Sequence, residues 1–234
     1  IPLRADFSMD VDAFCASRGM RVLANPNAPT GMVLPLSEIE RILSSDPDRV
    51  VLVDEAYVDF GAQTALPLLA KYENLLVVRT YSKSRSMAGA RLGFALGSEA
   101  LIRDLETIRF STNPYNLNRL TLLLGEAAVA DDAYYMENCK KIAATRERTA
   151  ARLKELGFTL APSQANFLFA SHPAVSGETL YSALKLRGVL VRHFKKPRIS
   201  EYVRITIGTP EQMEVLFAAI EDILKGDTAC APQR

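Results

Sequence analysis

Cysteine is scarce in this sequence. Cys15, Cys139 and Cys230 are the only three, an odd number, widely spaced and without a CxxC pair. That excludes a disulfide framework and fits a reducing compartment, so the cytoplasm is the expected location. Histidine is scarcer still. His172 and His193 stand far apart, the tight ligand cluster of a structural zinc site is missing, and no metal is expected. An excess of one charge is also absent. Against 28 Lys and Arg stand 27 Asp and Glu, a net charge of +1, which offers no electrostatic footprint for nucleic acid and no polybasic contact for a membrane. No run approaches the roughly 18–20 apolar residues of a membrane span. Internal repeats and low-complexity tracts are lacking too.

What is present is a core. Of 234 residues, 48% are hydrophobic, enough for one large domain or two smaller ones. Asp10 to Ser17 predicts a short helix that Gly19 ends. Arg21-Val22-Leu23-Ala24 is a short apolar run that stops at Asn25-Pro26-Asn27-Ala28-Pro29-Thr30-Gly31, a rigid turn. A helix is expected from Leu36 to about Ser44, with Ser37 as its cap. Arg49 to Glu55 contains four consecutive apolar residues, the pattern of a strand covered on both faces in a parallel sheet. Leu75–Val78 is a second such strand, after a helical stretch at Leu66–Tyr72, and Leu92–Gly97 is a third. Strands alternating with helices predict an α/β fold.

From Leu117 to about Leu156 the pattern is that of two long helices broken at Asp131-Asp132. Short strands follow at Asn166–Ala170, Val189–Arg192 and Tyr202–Ile207, with helices near Glu178–Leu186 and Glu211–Leu224. The expected organisation is a large domain over residues 1–135, a smaller α+β domain over 136–226, and a disordered tail at 227–234.

Three strand ends carry unusual residues, and ligands in open α/β sheets sit beyond the carboxyl ends of the strands. The first is Asp54-Glu55-Ala56-Tyr57, the second Arg79-Thr80-Tyr81-Ser82-Lys83, and the third strand is preceded by Ala88-Gly89-Ala90-Arg91. Each has an ordinary reading. Asp54 could cap the next element, Lys83 could be a solvated loop lysine, Arg91 could pair with Glu55 on the surface, and Thr80 with Ser82 could satisfy their own turn. Together they supply a coherent set for pyridoxal 5′-phosphate (PLP). The cofactor needs a lysine amine (Lys83), a carboxylate for its ring nitrogen (Asp54), a hydroxyl near its phenolic oxygen (Tyr57), and hydroxyls with a guanidinium for its phosphate (Thr80, Ser82, Arg91).

Asn-Pro-Asn-Ala-Pro-Thr-Gly, then Asp-Glu-Ala-Tyr, then Thr-Tyr-Ser-Lys-Ser-Arg-Ser-Met-Ala-Gly-Ala-Arg-Leu-Gly resembles the class I/II aminotransferases of PLP fold type I. The resemblance covers nearly the whole chain, and the eight positions from Lys83 to Arg91 match the family's spacing from lysine to phosphate arginine. It implies that Lys83 carries the cofactor as a Schiff base and then acts as general acid and base. It also implies that Asp54 faces the ring nitrogen, Tyr57 the phenolic oxygen, and Thr80, Ser82 and Arg91 the phosphate. The implied architecture is a mainly parallel-sheet large domain, incomplete at its N-terminus, plus a smaller C-terminal α+β domain. A homodimer is implied as well.

Two departures matter. The family places Asn immediately before Pro-Thr-Gly to meet the phenolic oxygen, and here that position is Ala28. Asn27 or Asn25 are the candidates to compensate, with Tyr57 acting alone as the alternative. Furthermore, the family's phosphate-cradling glycine turn, its ring-stacking aromatic and the tyrosine that reaches a partner's cofactor lie N-terminal to the Asn-Pro motif and have no counterpart here. The chain opens on Ile1-Pro2-Leu3-Arg4 and is expected to be part of a longer protein. A chain that physically began at Ile1 is expected to bind PLP poorly.

Val191-Arg192-His193-Phe194 and Arg204-Ile205-Thr206-Ile207-Gly208-Thr209 are similar to the histidinol-phosphate aminotransferases within that family. There, both arginines hold the substrate phosphate. The resemblance implies transamination of L-histidinol phosphate with 2-oxoglutarate, giving imidazole-acetol phosphate and glutamate in histidine biosynthesis, with Arg192 and Arg204 as substrate ligands. Alternatives are an aminotransferase for aromatic amino acids, a threonine-phosphate decarboxylase on the same scaffold, and a catalytically silent PLP-binding module.

Overall fold

The computed structural model describes residues 1–226, so the tail expected at 227–234 lies outside the described residues. Contacts divide the chain into two units: residues 1–27 with 32–139, and residues 28–31 with the chain from Lys140 on.

In the first unit, helix α1 (Val11–Ala16) opens on Asp10, whose carboxylate accepts from the Ala13 N–H. Four strands follow, β1 (Arg21–Ala24), β2 (Val51–Asp54), β3 (Leu75–Thr80) and β4 (Gly93–Gly97), in one sheet and in that order. The first three are parallel, with Ala24 beside Asp54 and Asp54 beside Val78. Ala24 and Asp54 finish level, and β3 runs two residues further to Thr80, so the unusual residues lie along one edge of the sheet. Helix α2 (Leu36–Ser44) presents Ile39, Ile42 and Leu43, all fully buried, to Leu23, Val51, Val53, Leu75 and Val77 of the sheet. Truncating such a residue to Ala costs about 2–5 kcal/mol. One cation is buried in this unit. Arg21, 2% exposed, donates to the carbonyls of Cys15 and Ile42 at 2.9 Å each. It thereby satisfies carbonyls that the ends of α1 and α2 leave without helical partners.

Several expectations change here. Ser37 does not cap α2, because Pro35 occupies the cap position and makes no side-chain cap bond, which leaves Ser37 within the first turn. The Leu66–Tyr72 stretch forms a 3-10 turn over Leu66–Ala70, with Pro67 in its first positions, where a missing N–H does no harm. The third strand, β4, is antiparallel to β3 (Leu76 beside Gly97, Thr80 beside Gly93). No crossover helix separates the two, so the chain simply reverses. In β1 and β2 only alternate residues are fully buried, and Val22 is 57% exposed. The reason is that α1 and α2 cover one sheet face.

Helices α3 (Glu99–Thr112) and α4 (Arg119–Ala130) begin on Ser98 and Asn118, whose side chains accept from the N–H groups of Leu101 and Thr121. The break expected at Asp131-Asp132 is present, with Asp131 ending α4 and Asp132 opening α5 (Asp132–Glu155).

The second unit contains β5 (Thr159–Leu160), β6 (Phe167–Ser171), α6 (Gly177–Leu186), β7 (Arg192–His193), β8 (Tyr202–Thr206) and α7 (Pro210–Leu224). Its sheet has the order β5-β6-β8-β7 and is antiparallel throughout. The expected strand Val189–Arg192 is shorter and later, because the Val189 N–H still bonds the Leu184 carbonyl at the end of α6. Val203 and Ile205 face a core shared with Leu168, Ala170, Leu180, Leu184, Leu216 and Ile220. Strand periodicity then sends Tyr202 and Arg204 to the other face. Helix α7 starts with a reciprocal cap, the Thr209 hydroxyl accepting from Gln212 N–H and the Gln212 side chain from Thr209 N–H.

Candidate active site

Five of the predicted residues are placed by the carboxyl ends of β2 and β3. Asp54 is the last residue of β2, and one of its carboxylate oxygens accepts from the Ala56 N–H at 2.9 Å. That contact turns the chain and brings Tyr57 round to open the 3-10 turn Val58–Phe60. Thr80 ends β3. Its hydroxyl accepts from the Ser82 N–H at 3.1 Å and reaches the Leu92 carbonyl at 3.4 Å. So Thr80 and Ser82 do satisfy their own turn, and that turn sets the direction in which Lys83 leaves the strand. The Lys83 Nζ lies over the ring of Tyr57, 5.4 Å from its centroid. Lysine and phenol thus meet just beyond the strand ends, the phenol three residues along the chain from Asp54 at the end of β2.

Arg91 adopts a left-handed conformation with φ 54° after the Ala88–Ala90 turn. Its side chain is exposed and folds back on the Ala88 carbonyl at 3.3 Å. It does not pair with Glu55. Glu55 is 1% exposed and takes Arg79 instead, from Nε at 3.0 Å and Nη2 at 2.9 Å. Gly93, just beyond, is required by close approach, since a Cβ there would lie 2.8 Å from the Arg79 carbonyl oxygen.

The two candidates to stand in for the missing Asn are now distinguishable. Asn25 is 2% exposed, and both ends of its amide are used by the Leu34 backbone, which donates to Oδ1 at 2.7 Å and accepts from Nδ2 at 3.2 Å. Asn25 therefore holds its own loop. Asn27 is half-buried, and its backbone N–H donates to Met32.

In the second unit, Arg192 on β7 stands directly opposite Arg204 on β8. Paired like charges on one sheet face repel unless an anion joins them. Arg204 lies over the Phe167 ring at 4.9 Å, and Arg192 over Phe194 at 5.6 Å. Phe169 stacks on Tyr202 at 4.5 Å, so the arginines emerge from an aromatic floor. The Nε of Arg204 is buried without a hydrogen-bond partner among the described residues. A buried cationic donor left unmatched is costly, and an arriving anion would offset that cost.

Sequence reasoning missed a polar network beside the lysine. Glu55 accepts from the Thr64 hydroxyl at 2.8 Å, from the Ala65 N–H at 2.6 Å and from Arg79. Arg79 also faces Asp59, 3.6 Å away. Asp59 in turn accepts from the Ser84 hydroxyl at 2.6 Å. The usable signal was an acid and an arginine at the ends of neighbouring apolar strands, at Glu55 and Arg79.

The chain belongs to the class I and II aminotransferase family, whose model matches residues 1–220. It is 52% identical over 228 residues to the histidinol-phosphate aminotransferase of Marinomonas sp. (strain MWYL1), which covers 95% of this chain and 64% of that protein. Among solved structures it resembles the histidinol-phosphate aminotransferase from Sinorhizobium meliloti in complex with pyridoxal-5′-phosphate, with a TM-score of 0.84 at 24% identity, over 97% of this chain and 64% of that one. It also resembles a decarboxylase from Sulfurospirillum multivorans, with a TM-score of 0.84 at 27% identity, over 96% and 69%. The fold is the PLP fold type I of these aminotransferases. The chain spans 62–64% of the length of the curated relatives it matches.

Proposed function

We propose that this chain is the greater part of a PLP-dependent enzyme that transfers the amino group of L-histidinol phosphate to 2-oxoglutarate, yielding imidazole-acetol phosphate and glutamate. The observation that carries the substrate is the opposed pair Arg192 and Arg204, with the buried Arg204 Nε unmatched. Two guanidiniums suit a dianionic phosphate better than a single carboxylate. The substrate is also the one that the relatives' names carry. The same reading makes the enzyme a cytoplasmic homodimer acting in histidine biosynthesis. Among the described residues no helix is long and apolar enough to cross a membrane.

The donor set fits the cofactor, because a lysine and a phenol meet beyond the strand ends, a carboxylate closes β2, and Thr80 and Ser82 lie on the loop that carries the lysine. When bound, PLP supplies an electron sink for the carbon that bears the amine. The protein does the rest. Asp54 would hold a proton on the ring nitrogen, and Tyr57 would donate to the phenolic oxygen, with Asn27 in support. Thr80, Ser82 and Arg91 hold the cofactor phosphate. Lys83 would hold the cofactor through its amine. With its amine free, Lys83 would be the group that takes up and hands back the proton of the substrate carbon. Proton transfer by a positioned group of this kind contributes roughly 10²–10⁴-fold in rate.

The test is a spectral titration of the full-length, PLP-loaded protein. Histidinol phosphate should convert the lysine-bound cofactor to its amine form, and 2-oxoglutarate should reverse the change. A protein that responds only to phosphothreonine or to aromatic amino acids has a different substrate on the same fold. One that takes up cofactor without a Lys83-dependent absorption band is a silent binding module.

A further inference from the structure

Lys83 is exposed and long, and a free lysine side chain carries about 2 kcal/mol of rotamer entropy that a reactive amine must do without. The loop beneath it is tied on both flanks. On the N-terminal flank, Thr80 anchors Ser82. On the C-terminal flank, two consecutive side chains turn inward. Ser84 is 8% exposed and gives its hydroxyl to Asp59 Oδ2 at 2.6 Å. Arg85 lies over the ring of Tyr135 at 3.8 Å, donates to the Ala128 carbonyl, and meets Asp132 at 3.2 Å. With 84 and 85 drawn in, residue 83 projects outward.

Asp59 is the point on which this C-terminal flank converges. Its carboxylate is 17% exposed and faces three elements: Ser84 on the lysine loop, Arg79 on β3, and Tyr135 on α5. Arg79 is largely committed to Glu55 and reaches Asp59 only as an ion pair at 3.6 Å. Hydroxyls therefore carry the hydrogen bonding of Asp59. Burial, and then the bond to Asp59, push the Tyr135 hydroxyl well above the ordinary tyrosine range, so it remains a donor at any working pH.

We propose that Asp59 is a positioning residue for Lys83: through Ser84 it fixes the loop that presents the reactive amine, with Tyr135 and Arg79 holding the carboxylate in place. The proposal rests on the reading of Lys83 given above. Misplacing a reacting group by about 1 Å can cost on the order of 10²-fold in rate, so a small shift of this loop has a large readout.

The test uses full-length holoenzyme carrying Ser84→Ala, Ser84→Thr, Asp59→Asn or Tyr135→Phe. For each, kcat, KM for the amino donor, the absorption of the lysine-bound cofactor and the pH at which that absorption titrates are measured. The expected result for Ser84→Ala is a kcat lowered roughly tenfold or more, KM near the wild-type value, and a displaced titration of the band, all restored by Ser84→Thr. Asp59→Asn should displace the titration in the same direction as Ser84→Ala. Should Asp59→Asn not fold, Tyr135→Phe, which loosens the same carboxylate, must show a smaller shift of the same kind. A purely structural role, and the end of the proposal, is indicated if these variants lower the melting temperature but leave kcat and the titration unchanged. A wild-type band that persists in Lys83→Ala overturns the reading of Lys83 and this proposal together. A band lost in Lys83→Ala but indifferent to Ser84 and Asp59 overturns this proposal alone.

Discussion

The lysine loop and the arginine pair differ in how completely their polar groups are satisfied. Around Lys83 almost every group has a partner: Thr80 with Ser82, Ser84 with Asp59, Arg79 with Glu55, Arg85 with Ala128 and Asp132. Around Arg204 the aromatic floor is packed, but the guanidinium stands opposite a second cation and its buried Nε has no partner among the described residues. The difference has a chemical meaning. A group that must hold one position while protons move needs a saturated scaffold. A group that must welcome an anion needs unspent donors. The first kind of site is rigid before its ligand arrives, and the second becomes satisfied only when the ligand does.

Several substitutions break or sharpen that contrast. The largest effect belongs to Lys83→Ala, which should lower turnover by at least roughly 10²–10⁴-fold while leaving the fold intact, as single-turnover assays and circular dichroism would show. Next is Glu55→Gln. It strikes the saturated side, where removing one partner of a buried pair costs about 3–5 kcal/mol, and denaturant unfolding should register the loss. Arg204→Gln strikes the unsaturated side and should do the opposite. Stability should hold or improve, because an unmatched donor is removed, while binding of a phosphorylated donor weakens by about 1.5–3 kcal/mol, roughly ten- to hundredfold. Arg192→Gln, at the more exposed member of the pair, should weaken binding less.

The smallest effect is a pH dependence beside the saturated network. Burial, and then the charge of Asp59, push the Cys139 thiol up from 9.0 to about 11. The folded state favours the neutral thiol, so this stabilisation is complete below pH 9 and is lost as pH rises from about 9 to 11. Unfolding curves of Cys139→Ala should lack that part of the alkaline loss, and the wild-type thiol should react slowly with disulfide reagents near neutral pH.

Much of this was legible in the sequence because local chemistry and global fold agree. Val22–Ala24, Val50–Val53 and Leu75–Val78 are apolar runs with turn residues between them, and Asp54 and Lys83 stand just beyond ends that a parallel sheet must expose. The break at Asp131-Asp132 and the helix ending at Leu224 were equally plain. Helix α3 was not, since none of its residues is buried: Ile108 and Phe110 are 62% and 61% exposed, and no apolar stripe marks it. The reversal of β4 was hidden for a different reason. Leu92–Gly97 reads as a buried strand in either direction, and periodicity carries no sign. Asp59 and Ser84 escaped because their bond joins positions 25 residues apart, which no local pattern announces. The opposition of Arg192 and Arg204 is a matter of register, fixed only once β7 and β8 pair.

The most direct measurement compares histidinol phosphate with histidinol as amino donors for full-length wild-type and Arg204→Gln holoenzyme. If the arginine pair awaits a phosphate, the substitution lowers kcat/KM for histidinol phosphate by roughly tenfold or more and leaves histidinol nearly unchanged, so the two donors converge. An equal loss for both donors, or none for either, contradicts the account.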